Sequence, residues 1–162
     1  MTDFDEDFEQ TDAGAAEATP ATAGDIKKNG FMVFNGDRPC RVVDYSTAKT
    51  GKHGHAKASI TGIDIFTGKK YEDSVPTSHN VYIPGIVRTA WQVLSIDDGY
   101  VTLFDPNTGN QRSDLPLPSE TDDDIKNSEI IKDGVENGKT MNVTVLSSMG
   151  IEKIIDPKED NS

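Results

Sequence analysis

Cysteine is almost absent from this chain, and its single thiol, Cys40, excludes an internal disulfide. One unpaired thiol fits a reducing compartment. Its place in an apolar strand pattern reads as a small buried hydrophobe rather than a nucleophile. No apolar run reaches the roughly 20 residues of a membrane-spanning helix, so no membrane partner is expected. The start, Met1-Thr2-Asp3-Phe4-Asp5-Glu6-Asp7, lacks the basic and apolar regions of a secretory signal and the arginines of a transit peptide. The expected location is therefore the cytoplasm. Gly-x-Ser-x-Gly, a nucleophile triad and a paired-carboxylate signature are all missing, and the chain is not expected to be an enzyme.

What is present is acid, unevenly placed. The formal net charge is −12. Residues 1–24 hold seven acidic side chains and no Lys or Arg. They are rich in Asp, Glu, Ala and Thr without apolar periodicity, and read as a disordered tail. Residues 25–86 hold nine basic and six acidic side chains, and residues 87–162 hold seven basic and fifteen acidic. A polyanion such as RNA is repelled by the whole and drawn only to the central third.

Short strand patterns fill residues 25–85. Phe31–Phe34 runs into Asn35-Gly36, a strong hairpin signal. Cys40–Ser46, Ala58–Phe66, Tyr71–Val75 and Asn80–Ile83 follow, giving about five strands and a small barrel. Pro84-Gly85 marks a domain boundary. Beyond it, strands are predicted at Ala90–Ile96, Tyr100–Phe104, a segment ending near Leu117, and Thr140–Leu146. Between the last two lies a helix capped by Ser119 or Thr121, with Asp122-Asp123-Asp124 in its first turn and Ile125 and Ile130 facing the core. Three strands, a helix and one or two strands match a five-stranded OB barrel over 86–156, and 157–162 read as a frayed tail. The class is all-β with one short helix.

Lys49-Thr50-Gly51-Lys52-His53-Gly54-His55-Ala56-Lys57 is the most unusual stretch. It concentrates three lysines, two histidines and two glycines between two strand patterns, as a hairpin tip that presents a lysine. Gly51-Lys52-His53-Gly54 matches the Gly-x-x-Gly clamp of KH domains, but that clamp joins helices. A phosphate-binding P-loop needs Gly where Ser46 stands and Ser or Thr where His53 stands. His53, His55 and His79 raise a metal site, but adjacent lysines repel a dication and no further ligand is near, so no metal is expected. A nucleophilic Lys52 lacks a desolvated pocket to depress its pKa. Trp91, Tyr100 and Phe104 lie on strands of the OB pattern in an acidic region, and read mainly as core. Asp97-Asp98 and Asp122–Asp124 read as solvated.

Ser46–Lys57 resembles the hypusine loop of the eukaryotic translation initiation factor five-A family. The resemblance continues through Gly62–Asp73 and Ser78-His79-Asn80, with weaker echoes at Asp97–Tyr100, Asp114–Pro118 and Thr144–Met149. It implies an SH3-like barrel over 25–85 followed by the OB fold. It also implies that Lys52 is the modified residue, with Lys49, Thr50, Gly51, His53, Gly54, His55 and Lys57 as contacts to RNA and to the modifying enzyme. Deoxyhypusine synthase would transfer the aminobutyl group of spermidine to Lys52, using NAD, and deoxyhypusine hydroxylase, an iron enzyme, would complete hypusine. This chain itself would bind no cofactor. The implied partners are the ribosome near its exit site and peptidyl-tRNA, where the factor aids peptide-bond formation at stalled proline runs and assists termination. Ala48 and Val75 depart from residues common in the family. The rival reading is an unmodified single-stranded RNA-binding module acting through the OB fold, and the acidic second half weighs against it.

Overall fold

The computed structural model describes residues 17–49 and 56–161. It divides into two units, Met1–Ile86 with Ser148–Gly150 and Val87–Ser147 with Ile151–Ser162. Both are built from β-strands, with one α-helix among the described residues of the second.

In the first unit β1 (Ala18–Thr22) pairs with β6 (Asn80–Pro84). β2 (Phe31–Phe34), β3 (Arg38–Lys49), β4 (Ala56–Asp64) and β5 (Lys70–Pro76) form a four-stranded sheet in chain order. Asn35 and Gly36 turn β2 into β3 with φ of 53° and 81°, the left-handed pair that a tight two-residue hairpin requires. Alternation then sets the core. On β4 the buried positions are Ala58, Ile60, Gly62 and Asp64, every second residue. The first three pack with Met32, Phe34, Cys40 and Val42 in one apolar layer.

Gly62 shows how tight that layer is. A Cβ built there would lie 2.5 Å from a Phe34 ring carbon and 2.9 Å from Cys40 Cβ. Both neighbours are buried and have no exit. Gly62→Ala is expected to cost about 2 kcal/mol through overpacking, read as a lower urea midpoint for the first unit. An unchanged midpoint would mean that the ring moves aside freely.

In the second unit β7 (Ile86–Asp97), β8 (Tyr100–Phe104), β9 (Gln111–Pro116), β10 (Met141–Ser148) and β11 (Ile151–Glu159) form one sheet in the order β11-β10-β7-β8-β9. The helix α1 (Asp122–Glu136) lies between β9 and β10 in sequence. Val93, Val101, Leu103, Ile131, Met141, Val143, Val145 and Ile154 form its core. β9 and β11 stand at opposite edges of the sheet. A side-chain fork ties them: Arg112 donates to Glu152 at 2.9 and 2.7 Å.

Four expectations are corrected. Residues 18–22, assigned to a disordered tail, form β1, and residues 23–25 form a 3-10 turn. Ala-Thr-Pro-Ala-Thr has no apolar alternation; its order comes from backbone pairing with β6, in which Pro20 stands opposite Tyr82. The frayed end assigned to 157–162 is likewise too long, because β11 runs to Glu159. Ile125 and Ile130 do not face the core but are 52% and 47% exposed. The buried face of α1 is instead Asp124, Ser128, Ile131 and Gly134. Asp124 is therefore not solvated: it is 3% exposed and holds a buried lysine.

Candidate functional site

The β3–β4 ribbon carries the lysine-rich stretch. Its register runs Tyr45↔Ile60, Ser46↔Ser59, Thr47↔Ala58, Ala48↔Lys57 and Lys49↔Ala56. Lys49 and Lys57 thus stand at the last two described rungs, both exposed. Cross-strand partners share a face and successive residues alternate, so the two lysines point from opposite faces of the ribbon, each across from an alanine. The small partners leave both stems uncrowded. Thr50, Gly51, Lys52, His53, Gly54 and His55 lie outside the described residues.

The ribbon is braced at several levels. β5 pairs along β4 as far as Lys57↔Pro76, and Thr77 N–H donates to Ala56 C=O at 2.9 Å. Tyr45 Oη donates to Ala23 C=O at 2.8 Å, tying β3 to the 3-10 turn. At the far end of β4, Asp64 accepts from Arg38 Nε at 2.7 Å and from the Phe66 and Thr67 N–H groups at 2.8 and 3.2 Å. Burial opposes the Asp64 charge, but these hydrogen bonds outweigh it and hold the carboxyl below its usual range. The same bond raises Arg38. Sequence reading missed this brace, although Asp64 opening Thr67-Gly68 is an Asx-turn signal.

Cys40 is fully buried, and burial, reinforced by the Asp64 charge, pushes its thiol up to about 12. It is a packing residue with no thiolate to offer. His79 is exposed. Among the described residues no group of three or more His, Cys, Asp or Glu side chains converges as a metal site would. No described helix is long and apolar enough to cross a membrane.

In the OB-type unit Trp91 and Arg112 are engaged with each other and with their neighbours. Arg112 lies 5.9 Å from the Trp91 ring and donates to Asp114 at 2.8 and 2.7 Å as well as to Glu152. Its hydrogen bonds to Asp114 and Glu152 raise the guanidinium pKa and hold both carboxyls below their usual range. Trp91 donates through its indole N–H to Thr89 at 2.9 Å. Phe104 is half-buried, and Tyr100, expected mainly as core, is 49% exposed.

Comparison with known proteins agrees with the two-part layout. Residues 16–79 match the family model for the N-terminal part of translation initiation factor 5A-like proteins. Residues 85–158 match the model described as eukaryotic elongation factor 5A hypusine, DNA-binding OB fold. Eukaryotic translation initiation factor 5A-4 of Solanum tuberosum is 51% identical over 156 residues, covering 95% of this chain and 94% of that protein. Factor 5A-1 of Arabidopsis thaliana is 49% identical with the same coverage. A solved family protein from Naegleria fowleri superposes with TM-score 0.81 at 49% identity, covering 87% of this chain and 98% of its own. The factor 5A from Methanococcus jannaschii gives 0.65 at 31%, covering 89% and 97%. The two family models and sequence identity over nearly the full length agree, and the chain belongs to the translation initiation factor 5A family.

Proposed function

We propose that this translation factor works through a hypusinated Lys52, carried at the end of the β3–β4 ribbon to the ribosome near its exit site. There the modified side chain steadies peptidyl-tRNA, aids peptide-bond formation at stalled proline runs and assists termination. Deoxyhypusine synthase and deoxyhypusine hydroxylase are the partners that build the modification. Spermidine and NAD serve the first of them, and this chain needs no cofactor. The site of action is the cytoplasm.

The observation that carries this reading is the register. It holds Lys49 and Lys57, exposed and on opposite faces, at the rungs that flank residues 50–55. Modification lengthens one side chain and adds a second amine, and so brings charge and donors among RNA phosphates and riboses. Steadying a sluggish peptidyl-tRNA is a proximity effect, with the chemistry left to the ribosome. Lys49, Thr50, Gly51, His53, Gly54, His55 and Lys57 serve as contacts to RNA and to the modifying enzyme.

Lys52→Arg keeps one charge but removes the amine that accepts the aminobutyl group. It is expected to fold normally and to lose relief of proline-run stalling in a reconstituted translation system. Peptide mass analysis of protein from its native host should find Lys52 modified. Normal relief by the arginine variant, or plain lysine in growing cells, would sink the reading.

A further inference from the structure

We propose that the solvent face of the β3–β4–β5 sheet carries a second cationic patch, centred on Arg41 and Lys70, that rests against the phosphodiester backbone of RNA. The proposal rests on the ribosomal reading above and adds a contact distinct from the ribbon tip.

The nine basic side chains of residues 25–86 fall into three groups. Arg38 is held by buried Asp64 at 2.7 Å. Lys49, Lys52 and Lys57 belong to the lysine-rich stretch. The remaining cations, Lys27, Lys28, Arg41, Lys69 and Lys70, gather toward the other end of the ladder. Arg41 stands opposite Ile63, and Ile63 opposite Lys70, so all three share one face. Two strand spacings separate Arg41 from Lys70, about 10 Å. Asn29 N–H donates to Val42 C=O at 2.8 Å, which brings exposed Lys27 and Lys28 beside the same row.

Little in the fold occupies these charges. Arg41 donates from Nη1 to the neutral amide of Asn29 at 3.5 Å, which leaves its guanidinium fork facing solvent. Lys70 lies 3.3 Å from Glu72, with both side chains more than 60% exposed. Such a pair holds weakly and yields to a stronger anion. Lys69 lies 5.2 Å from the Tyr71 ring. A planar arginine fork beside a lysine suits phosphate oxygens.

Lys57 stands on the same face, six positions along β4 from Ile63, about 20 Å away at ~3.3 Å per residue. Between them Asp44, Thr61 and Glu72 form one row with two exposed carboxylates. A polyanion is repelled over that row and held at its two ends. A single phosphate cannot reach both patches, whereas an RNA backbone can.

The test is equilibrium binding to purified ribosomes across a KCl series. It compares wild type, Arg41→Gln/Lys70→Gln, Lys52→Arg, and the combination of all three. Loss of two phosphate contacts should flatten the log–log salt slope by about 1.5 and weaken binding about 10-fold at 0.1 M salt. The same loss should appear in the Lys52→Arg background. Unchanged slope and affinity would overturn the patch. So would weaker binding with an unchanged slope, which assigns the contact to protein rather than phosphate. If Lys52→Arg relieves stalling normally while the double variant still flattens the slope, the hypusine reading falls and the patch stands.

Discussion

Asp124→Ala is expected to destabilise the second unit by about 4 kcal/mol, a larger loss than any apolar truncation on α1. Asp124 does two jobs with one carboxylate. Its Oδ2 accepts the Glu120 and Thr121 N–H groups at 3.1 Å each, while Thr121 Oγ1 accepts Asp124 N–H at 3.0 Å. That reciprocal pair is a capping box, in which the helix's unpaired donors find partners, and losing such a cap alone costs about 1 kcal/mol. The same Oδ2 lies 2.8 Å from Lys153 Nζ of β11, with both side chains under 10% exposed. Removing the carboxylate takes the ion-pair partner from a buried lysine, which is the dominant cost.

Lys153→Met separates the two jobs. It leaves the cap intact and trades the buried charge for an apolar side chain of similar length. The expected loss is about 3 kcal/mol, because Asp124 stays buried without its ion-pair partner. Asp124→Ala/Lys153→Met, with neither charge left, should lose much less than the two single changes added together. Trp91 is the only tryptophan and lies in the second unit, so its fluorescence in urea reads that unit alone. Strict additivity in this cycle would mean that the two side chains do not feel each other.

This pair also shows where sequence reading stops. Strand positions in the first unit were legible because they are short-range facts: Asn35-Gly36 demands a tight turn, and alternation from Ala58 to Asp64 demands one inward face. The lysine-rich ribbon was legible for the same reason, since both its strands flank it in sequence. The face of α1 was not. Its buried positions carry Asp, Ser and Gly beside a single isoleucine, Ile131, while Ile125 and Ile130 are exposed. Apolar periodicity therefore pointed the helix the wrong way round. What buries Asp124 is a lysine 29 positions later, and what buries Ser128 is its hydroxyl donating to Pro118 C=O. The strand β1 was illegible for a related reason, because its register partner begins 58 positions away at Asn80. Local patterns cannot announce a partner that distant.

Asp64→Ala is the counterpart in the first unit, with an expected loss of about 3 kcal/mol. The Asp64 side chain is fully buried, and the substitution leaves Arg38 and the Phe66 and Thr67 N–H groups without their acceptor. The effect carries a pH signature. Asp64 titrates below its usual range when folded and near the ordinary value of about 3.9 when unfolded. A depressed carboxyl stabilises the fold fully above the unfolded value and ceases to do so as pH falls through the folded one. Arg38 shifts upward, so its share persists throughout the acid and neutral range. Wild type should therefore lose first-unit stability as pH falls below about 4, read by amide exchange at Val42 and Ile60. Asp64→Ala should start lower at pH 7 and lose less over the same interval, so the two curves draw together as pH falls. Asp114 and Glu152 are depressed in the same direction by Arg112, but they belong to the second unit and leave those two amides unmoved. Parallel curves for wild type and variant would show that the stability of the ribbon's base does not depend on this carboxylate.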